Sequence, residues 1–175
     1  MVSDALEALI AIGKDTPADR EYAFEMVQAH NEDTAAATFA RAAVTGRWVQ
    51  QRGLRARKFV ADVEKYAQRS RTLDPQFRHG AATRLLGTLY VVAPASLLTH
   101  GDSETGLELL EDVTAQYPDA PENHLRLAEA YITLGDPVPA QPHLCRCLAE
   151  QQRLRPDDQQ LLSQLIVDAG RPTCP

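Results

Sequence analysis

At 175 residues, with 44% apolar content, 6% aromatics and a formal net charge of −6, the chain has room for one compact domain or one short solenoid. Runs of Val, Ile and Thr alternating with polar residues are missing, which argues against a sheet, and no window approaches the ~20 apolar residues that cross a bilayer. Alanine, leucine, Glu, Gln and Arg dominate; these side chains lose little rotamer freedom in a helix, so an all-α fold is expected.

Asp4 and Glu7 precede the first basic residue, Lys14. A secretory signal starts basic and has a longer apolar core, so a cytoplasmic protein is expected. The cysteines, Cys145, Cys147 and Cys174, are odd in number, which fits a reducing compartment better than a disulfide scaffold. Charge is unevenly distributed. Residues 41–84 carry eleven Lys or Arg against three acids, a balance of +8 that leaves −14 elsewhere. Such a segment is either a solvated helix face or a docking surface for something acidic.

In chain order, Ser3 opens a short helix that Gly13 closes. Thr16-Pro17-x-Asp19 starts a second helix, since proline is pre-set for a first helical residue, and Asn31 ends it. Asp33 or Thr34 opens an alanine-rich helix (Ala35, Ala36, Ala37, Ala40, Ala42, Ala43) that stops at Gly46. Its partner spans about 54–72, with Ala56, Val60, Val63 and Ala67 on one stripe. A helix over 78–93 buries Leu85, Leu86, Leu89 and Tyr90. Pro94 ends it, and Leu97 and Leu98 in the following loop tuck onto the core or meet a partner. Ser103 caps a helix closed by Pro118. Pro121 starts the next, with Leu125, Leu127, Ala128, Tyr131 and Ile132 inward, and Gly135-Asp136 turns the chain. The following helix starts near Pro139, because proline is tolerated only in a first turn, and runs to Arg155. Beyond Pro156, Leu161, Leu162, Leu165 and Ile166 give one apolar face, as a capping helix needs. Residues 170–175 read as a frayed tail.

Two stretches share one pattern. Leu86-Gly87-x-x-Tyr90 is followed by Gly106-x-x-x-Leu110 and Pro118. Leu127-Ala128-x-x-Tyr131 is followed by Ala140-x-x-x-Leu144 and Pro156. This resembles the tetratricopeptide helix pair. The organisation expected is one all-α domain, 1–175: a tetratricopeptide-like helical-hairpin solenoid with N-terminal helices over 1–32, a diverged first repeat over 33–75, repeats over 76–118 and 119–156, and a capping helix over 157–169. Gly80-Ala81-Ala82-x-Arg84-Leu85-Leu86-Gly87-x-Leu89-Tyr90, then Ala93-Pro94 and Gly101-Asp102, also resembles the T-component (TatT) family of TRAP-type transporters. That resemblance implies an all-helical protein that works by association, as a homo-oligomer contacting a solute-binding protein or a small ligand.

Little in the sequence points to chemistry. His143-x-Cys145-x-Cys147 suggests a metal, but 100° per residue directs Cys145 away from the other two, and zinc wants four converging ligands. No metal or other cofactor is expected, and no catalytic residue. Glu108, Glu111 and Asp112 read as a solvated helix surface, and His79 as a turn residue. Binding is expected on the concave face built by the first helix of each pair, at Arg41, Arg84, Thr88, Asn123 and Glu129. Arg84 either meets a ligand or pairs with a carboxylate such as Glu129. The basic segment adds Arg47, Arg52, Arg55, Arg57 and Lys58. Trp48 beside it is either a staple of the helix or an exposed anchor. The function expected is a non-catalytic adaptor for another protein with an acidic surface. A T-component-like oligomer and a weak nucleic-acid binder are the alternatives; few aromatics interleave with the arginines, which disfavours the last.

Overall fold

The computed structural model describes residues 2–170 and 172–174. Among these are nine α-helices and no strand: α1 (Val2–Ala11), α2 (Pro17–Ala29), α3 (Ala35–Arg52), α4 (Val60–Leu73), α5 (Ala81–Val92), α6 (Ser103–Gln116), α7 (Pro121–Thr133), α8 (Ala140–Ala149) and α9 (Pro156–Ala169). Short 3-10 segments cover Gly53–Phe59, Ala95–Leu97 and Gln151–Arg153. No described helix is long and apolar enough to cross a membrane.

Local chemistry sets most helix starts. Thr16 and Asp19 form a reciprocal capping box: the Thr16 hydroxyl accepts from the Asp19 amide at 3.2 Å, and the Thr16 amide donates to Asp19 Oδ2 at 2.8 Å. Such a box satisfies two amides that would otherwise lack partners. Thr34 caps α3 with its hydroxyl alone, accepting from the Ala37 amide at 3.2 Å. Asp102, not Ser103, caps α6, accepting from the Thr105 amide at 2.9 Å. Pro17, Pro121 and Pro156 stand in first turns, where no amide is needed.

The helices pack as consecutive hairpins, α3 on α4, α5 on α6 and α7 on α8, with α9 closing the last pair. Leu86, Leu110, Leu125, Leu144 and Leu162 are fully buried between layers, each stabilising the stack by about 1.5–3 kcal/mol. Small residues set the closest approaches. A Cβ on Gly87 would stand 2.6 Å from Leu110 Cγ and 2.8 Å from the Gly106 carbonyl oxygen. Ala128 is likewise buried against α8 and α9. The two ends of the stack also meet: α1 packs on α2 and α3 and reaches α9.

Several elements depart from the sequence expectation. α3 continues through Gly46 to Arg52, because Gly46 takes ordinary helical geometry and the left-handed residue that ends the helix is Gly53, with φ 57°. The stretch after it is 3-10 as far as Phe59, so α4 is shorter than expected. α5 starts at Ala81 rather than 78, since Arg78, His79 and Gly80 all have positive φ (48°, 54° and 73°), a run that cannot begin a right-handed helix. α8 stops at Ala149 rather than Arg155 and passes into the 3-10 turn.

The 93–101 connection is held from below. Glu64 on α4 is buried, and its carboxylate accepts from the Thr99 and His100 amides, each at 2.8 Å, and from the Tyr90 hydroxyl at 2.9 Å. Leu98 packs on the cluster of Leu86 and Tyr90. Trp48 is buried too: it stacks on Phe24 at 4.1 Å, meets Phe59 edge-on at 5.1 Å and donates to Glu21 at 2.8 Å. It joins α2 to α3 and is not an exposed anchor.

The cysteines differ from the expectation of a thiol-only protein. Cys145 on α8 is disulfide-bonded to Cys174. α9 returns the chain beside α8, where Gln141 reaches the Ala169 carbonyl. Residues 172–174 are therefore tied down, with Pro172 buried, where a frayed tail was expected; residues 171 and 175 of that tail lie outside the described residues. The odd cysteine count thus carries no information on compartment.

Candidate binding cavity

The inner face of α3, α5 and α7, the first helix of each hairpin, surrounds a cavity of about 410 Å³. α1 closes one side with Ser3, Asp4 and Glu7; Arg153, Leu154, Arg155 and Asp158 close the other. Arginine dominates the lining: six guanidinium groups face four carboxylates.

Five of the six arginines are paired. Glu7 receives Arg47 at 2.9 Å and Arg155 at 2.5 Å, linking positions 148 residues apart. Arg126 bonds Glu129 at 2.9 Å and Asp158 at 2.7 Å. Arg78 bonds Asp4 at 2.9 Å, and Arg153 bonds Glu150. Burial alone would raise the Glu7 carboxyl, yet the bonds from Arg47 and Arg155 hold it below the ordinary range. Asp158 is shifted the other way: burial raises it despite Arg126 and Arg155 nearby.

Arg84 is the exception. Its Nη1 donates to Asn123 Oδ1 at 2.5 Å, and among the described residues it has no carboxylate within ion-pair distance. Burial draws its pKa down to about 10; Glu122 opposes this, while Arg126 and Arg155 add to it. At neutral pH it remains a cation. A guanidinium has five donors; Arg84 lines the cavity, and its one hydrogen bond among the described residues, to Asn123, uses Nη1. Asn123 beneath it is fully buried and donates to the His79 and Val113 carbonyls, at 3.3 and 3.4 Å. It therefore fixes the Arg84 head while joining α7 to the preceding hairpin.

The other expected positions are dispersed. Thr88 lines the cavity one turn beyond Arg84, with its hydroxyl donating to the Arg84 carbonyl at 2.9 Å. Asn123 lies in the core rather than on the wall. Glu129 pairs with Arg126 and not with Arg84. Arg41 is elsewhere: its Nε donates to the Val27 carbonyl at 3.2 Å and its guanidinium lies over Tyr66, beside a smaller groove of about 260 Å³. The basic segment also divides. Arg47 enters the cavity, Arg52 pairs with Glu21, and Arg55, Arg57 and Lys58 project from the 3-10 turn into solvent. Arg126, Arg155 and Glu7 were not expected at the site. Arg126 follows Asn123 by three residues, a spacing that puts both on one helix face; nothing local marks the other two.

The histidine and thiol groups lie apart from this cavity's lining. His143 and His124 share a hydrogen bond at 2.8 Å between their Nδ1 atoms, and burial pushes His143 down to about 4. Cys147 is fully buried against the Pro121 carbonyl, and burial pushes its thiol up to about 12. A thiol so protonated is a poor nucleophile.

A curved stack of antiparallel helix pairs, tight at small residues and lined inside by the first helix of each pair, defines a helical-hairpin repeat protein. Residues 97–165 match the family model described as a tetratricopeptide repeat, a stretch running from the 3-10 turn before α6 into α9. That match supports a tetratricopeptide-repeat protein, a class that generally mediates protein–protein interaction. No curated protein gives a significant match.

Proposed function

We propose that this protein is a non-catalytic adaptor that binds a partner protein with an acidic surface, and that the 3-10 turn Gly53–Phe59 is its main contact. One observation carries this. Arg55, Arg57 and Lys58 are exposed and have no carboxylate within ion-pair distance among the described residues, and Leu54 beside them is 83% exposed. Most other arginines of the chain are engaged internally. Cations left over on one turn around an apolar side chain suit a contact that has charge at its rim and an apolar centre. The concave side contributes Arg84 and Thr88.

The test is charge reversal of Arg55, Arg57 and Lys58 to Glu. A polyglutamate peptide, titrated by calorimetry at rising salt, should bind the wild type with an affinity that falls as salt screens it. The variant should lose about tenfold or more, the order of effect expected when rim charges are inverted. Its melting temperature should change little, because Arg55 and Arg57 project into solvent and Lys58 makes one exposed contact, over the Phe59 ring at 5.1 Å. Equal binding by the two proteins refutes the proposal. A duplex oligonucleotide that binds more tightly than the peptide would favour the nucleic-acid alternative.

A further inference from the structure

The cavity and the basic turn are separate places, and the cavity supports an inference of its own. We infer that the concave cavity is a binding site for a carboxylate carried on a short apolar body, with Arg84 as the group that holds the charge.

Arg84 is half-buried. A cation removed from bulk water is costly unless it is paired. The five other arginines around this space have carboxylate partners. Among the described residues Arg84 has only the amide oxygen of Asn123, and no acid on the wall lies within ion-pair distance. Glu122 and Asp158 attract it from beyond that distance, while Arg126 and Arg155 repel it. Its bond to Asn123 joins α5 to α7 but leaves the charge unpaired, and local departures from good pairing concentrate at functional sites.

The chemistry of the missing partner follows from what is present. A planar guanidinium with parallel donors matches a carboxylate bidentately. The same cavity already holds one carboxylate between two arginines, since Glu7 lies between Arg47 and Arg155. Phe39, Ala43, Leu85 and Leu154 supply an apolar wall next to the charge. About 410 Å³ admits a small molecule or the end of a peptide. It does not admit a whole helix, whose diameter with side chains is ~10 Å.

The carboxylate could belong to a free organic acid or to a peptide C-terminus, and one experiment separates them. The full chain is titrated by calorimetry with octanoate, octanol and acetate, and with a leucine-ended tripeptide in free and amidated forms. Octanoate or the free peptide should bind, and octanol and the amidated peptide should not. Acetate should bind about tenfold or more weakly than octanoate, because it lacks the apolar body. Tighter binding of octanoate assigns a free acid, and tighter binding of the tripeptide assigns a chain end; either supports the site. Arg84→Met should lower affinity about tenfold or more, as loss of a charge-assisted pair does; it also leaves the buried Asn123 Oδ1 without its donor, so the ligand-free melting temperature should fall while the far-ultraviolet circular dichroism stays helical. Ala43→Leu, which narrows the cavity from the α3 side and leaves Arg84 in place, should also weaken binding while the basic-turn variant keeps it. Equal binding of octanoate and octanol overturns the inference. So does undiminished binding by Arg84→Met or Ala43→Leu.

Discussion

Two glycines inside helices offer a matched test of how this stack is packed. Gly46 in α3 and Gly87 in α5 both have helical geometry, so changing either to alanine gains about 0.5–1 kcal/mol of backbone preference. Their surroundings differ. A Cβ on Gly46 would meet one atom, Val63 Cγ1, at 3.9 Å, which is ordinary contact. A Cβ on Gly87 would overlap Leu110 Cγ at 2.6 Å and the Gly106 carbonyl oxygen at 2.8 Å. The leucine can rotate, but the backbone oxygen moves only if α5 and α6 separate. Overfilling of this kind costs about 2–3 kcal/mol, leaving Gly87→Ala about 1–2 kcal/mol less stable after the helical gain. Gly46→Ala should be more stable by its full helical gain. At about 2–4 °C per kcal/mol for a chain of this size, the two variants should melt roughly 4–12 °C apart, with the wild type between them. Thermal unfolding followed by circular dichroism reads this directly. If Gly87→Ala melts at or above the wild type, the close crossing of α5 and α6 is wrong.

Glu64→Gln should release the 93–101 connection. It replaces a carboxylate that serves two amides and a hydroxyl, at a cost of about 1–3 kcal/mol, and hydrogen exchange at Thr99 and His100 should speed up; unchanged protection there would refute the role given to Glu64. Thiol counting checks the bond between Cys145 and Cys174. Alkylation of the unfolded, unreduced protein should label Cys147 alone, and reduction should expose all three cysteines, whereas three labels without reductant would count against the disulfide.

Much of the stack was legible because it is written in local signals. Thr16-Pro17-x-Asp19 and Pro121 mark starts whatever the rest of the chain does, and the small residues Gly87 and Ala128 announce close crossings. Glycine was the weaker sign. Gly46 suggested a stop, yet glycine ends a helix only where the backbone turns left-handed, and the chain does so seven residues later at Gly53. Glu64 was unreadable as a bracket: within a basic segment it looks like one more surface acid, and its partners are 26 to 36 residues away. Arg84 could be singled out by its place two residues before Leu86. Its partner could not, because Asn123 comes to it only when one hairpin is laid on the next. The pairing of Glu7 with Arg155 spans nearly the whole chain, and no periodicity encodes it. The disulfide was hidden for a similar reason, since it depends on α9 doubling back.

That link between Glu7 and Arg155 changes how the stack should come apart. Repeat arrays in general behave as beads on a rod, melting inward from whichever terminus is weaker, since each unit leans only on its neighbours. Here the rod is bent into a hoop and latched with α1 against α9. Damage at one extremity is felt at once by the other, and the aperture between them keeps its calibre only while the latch holds.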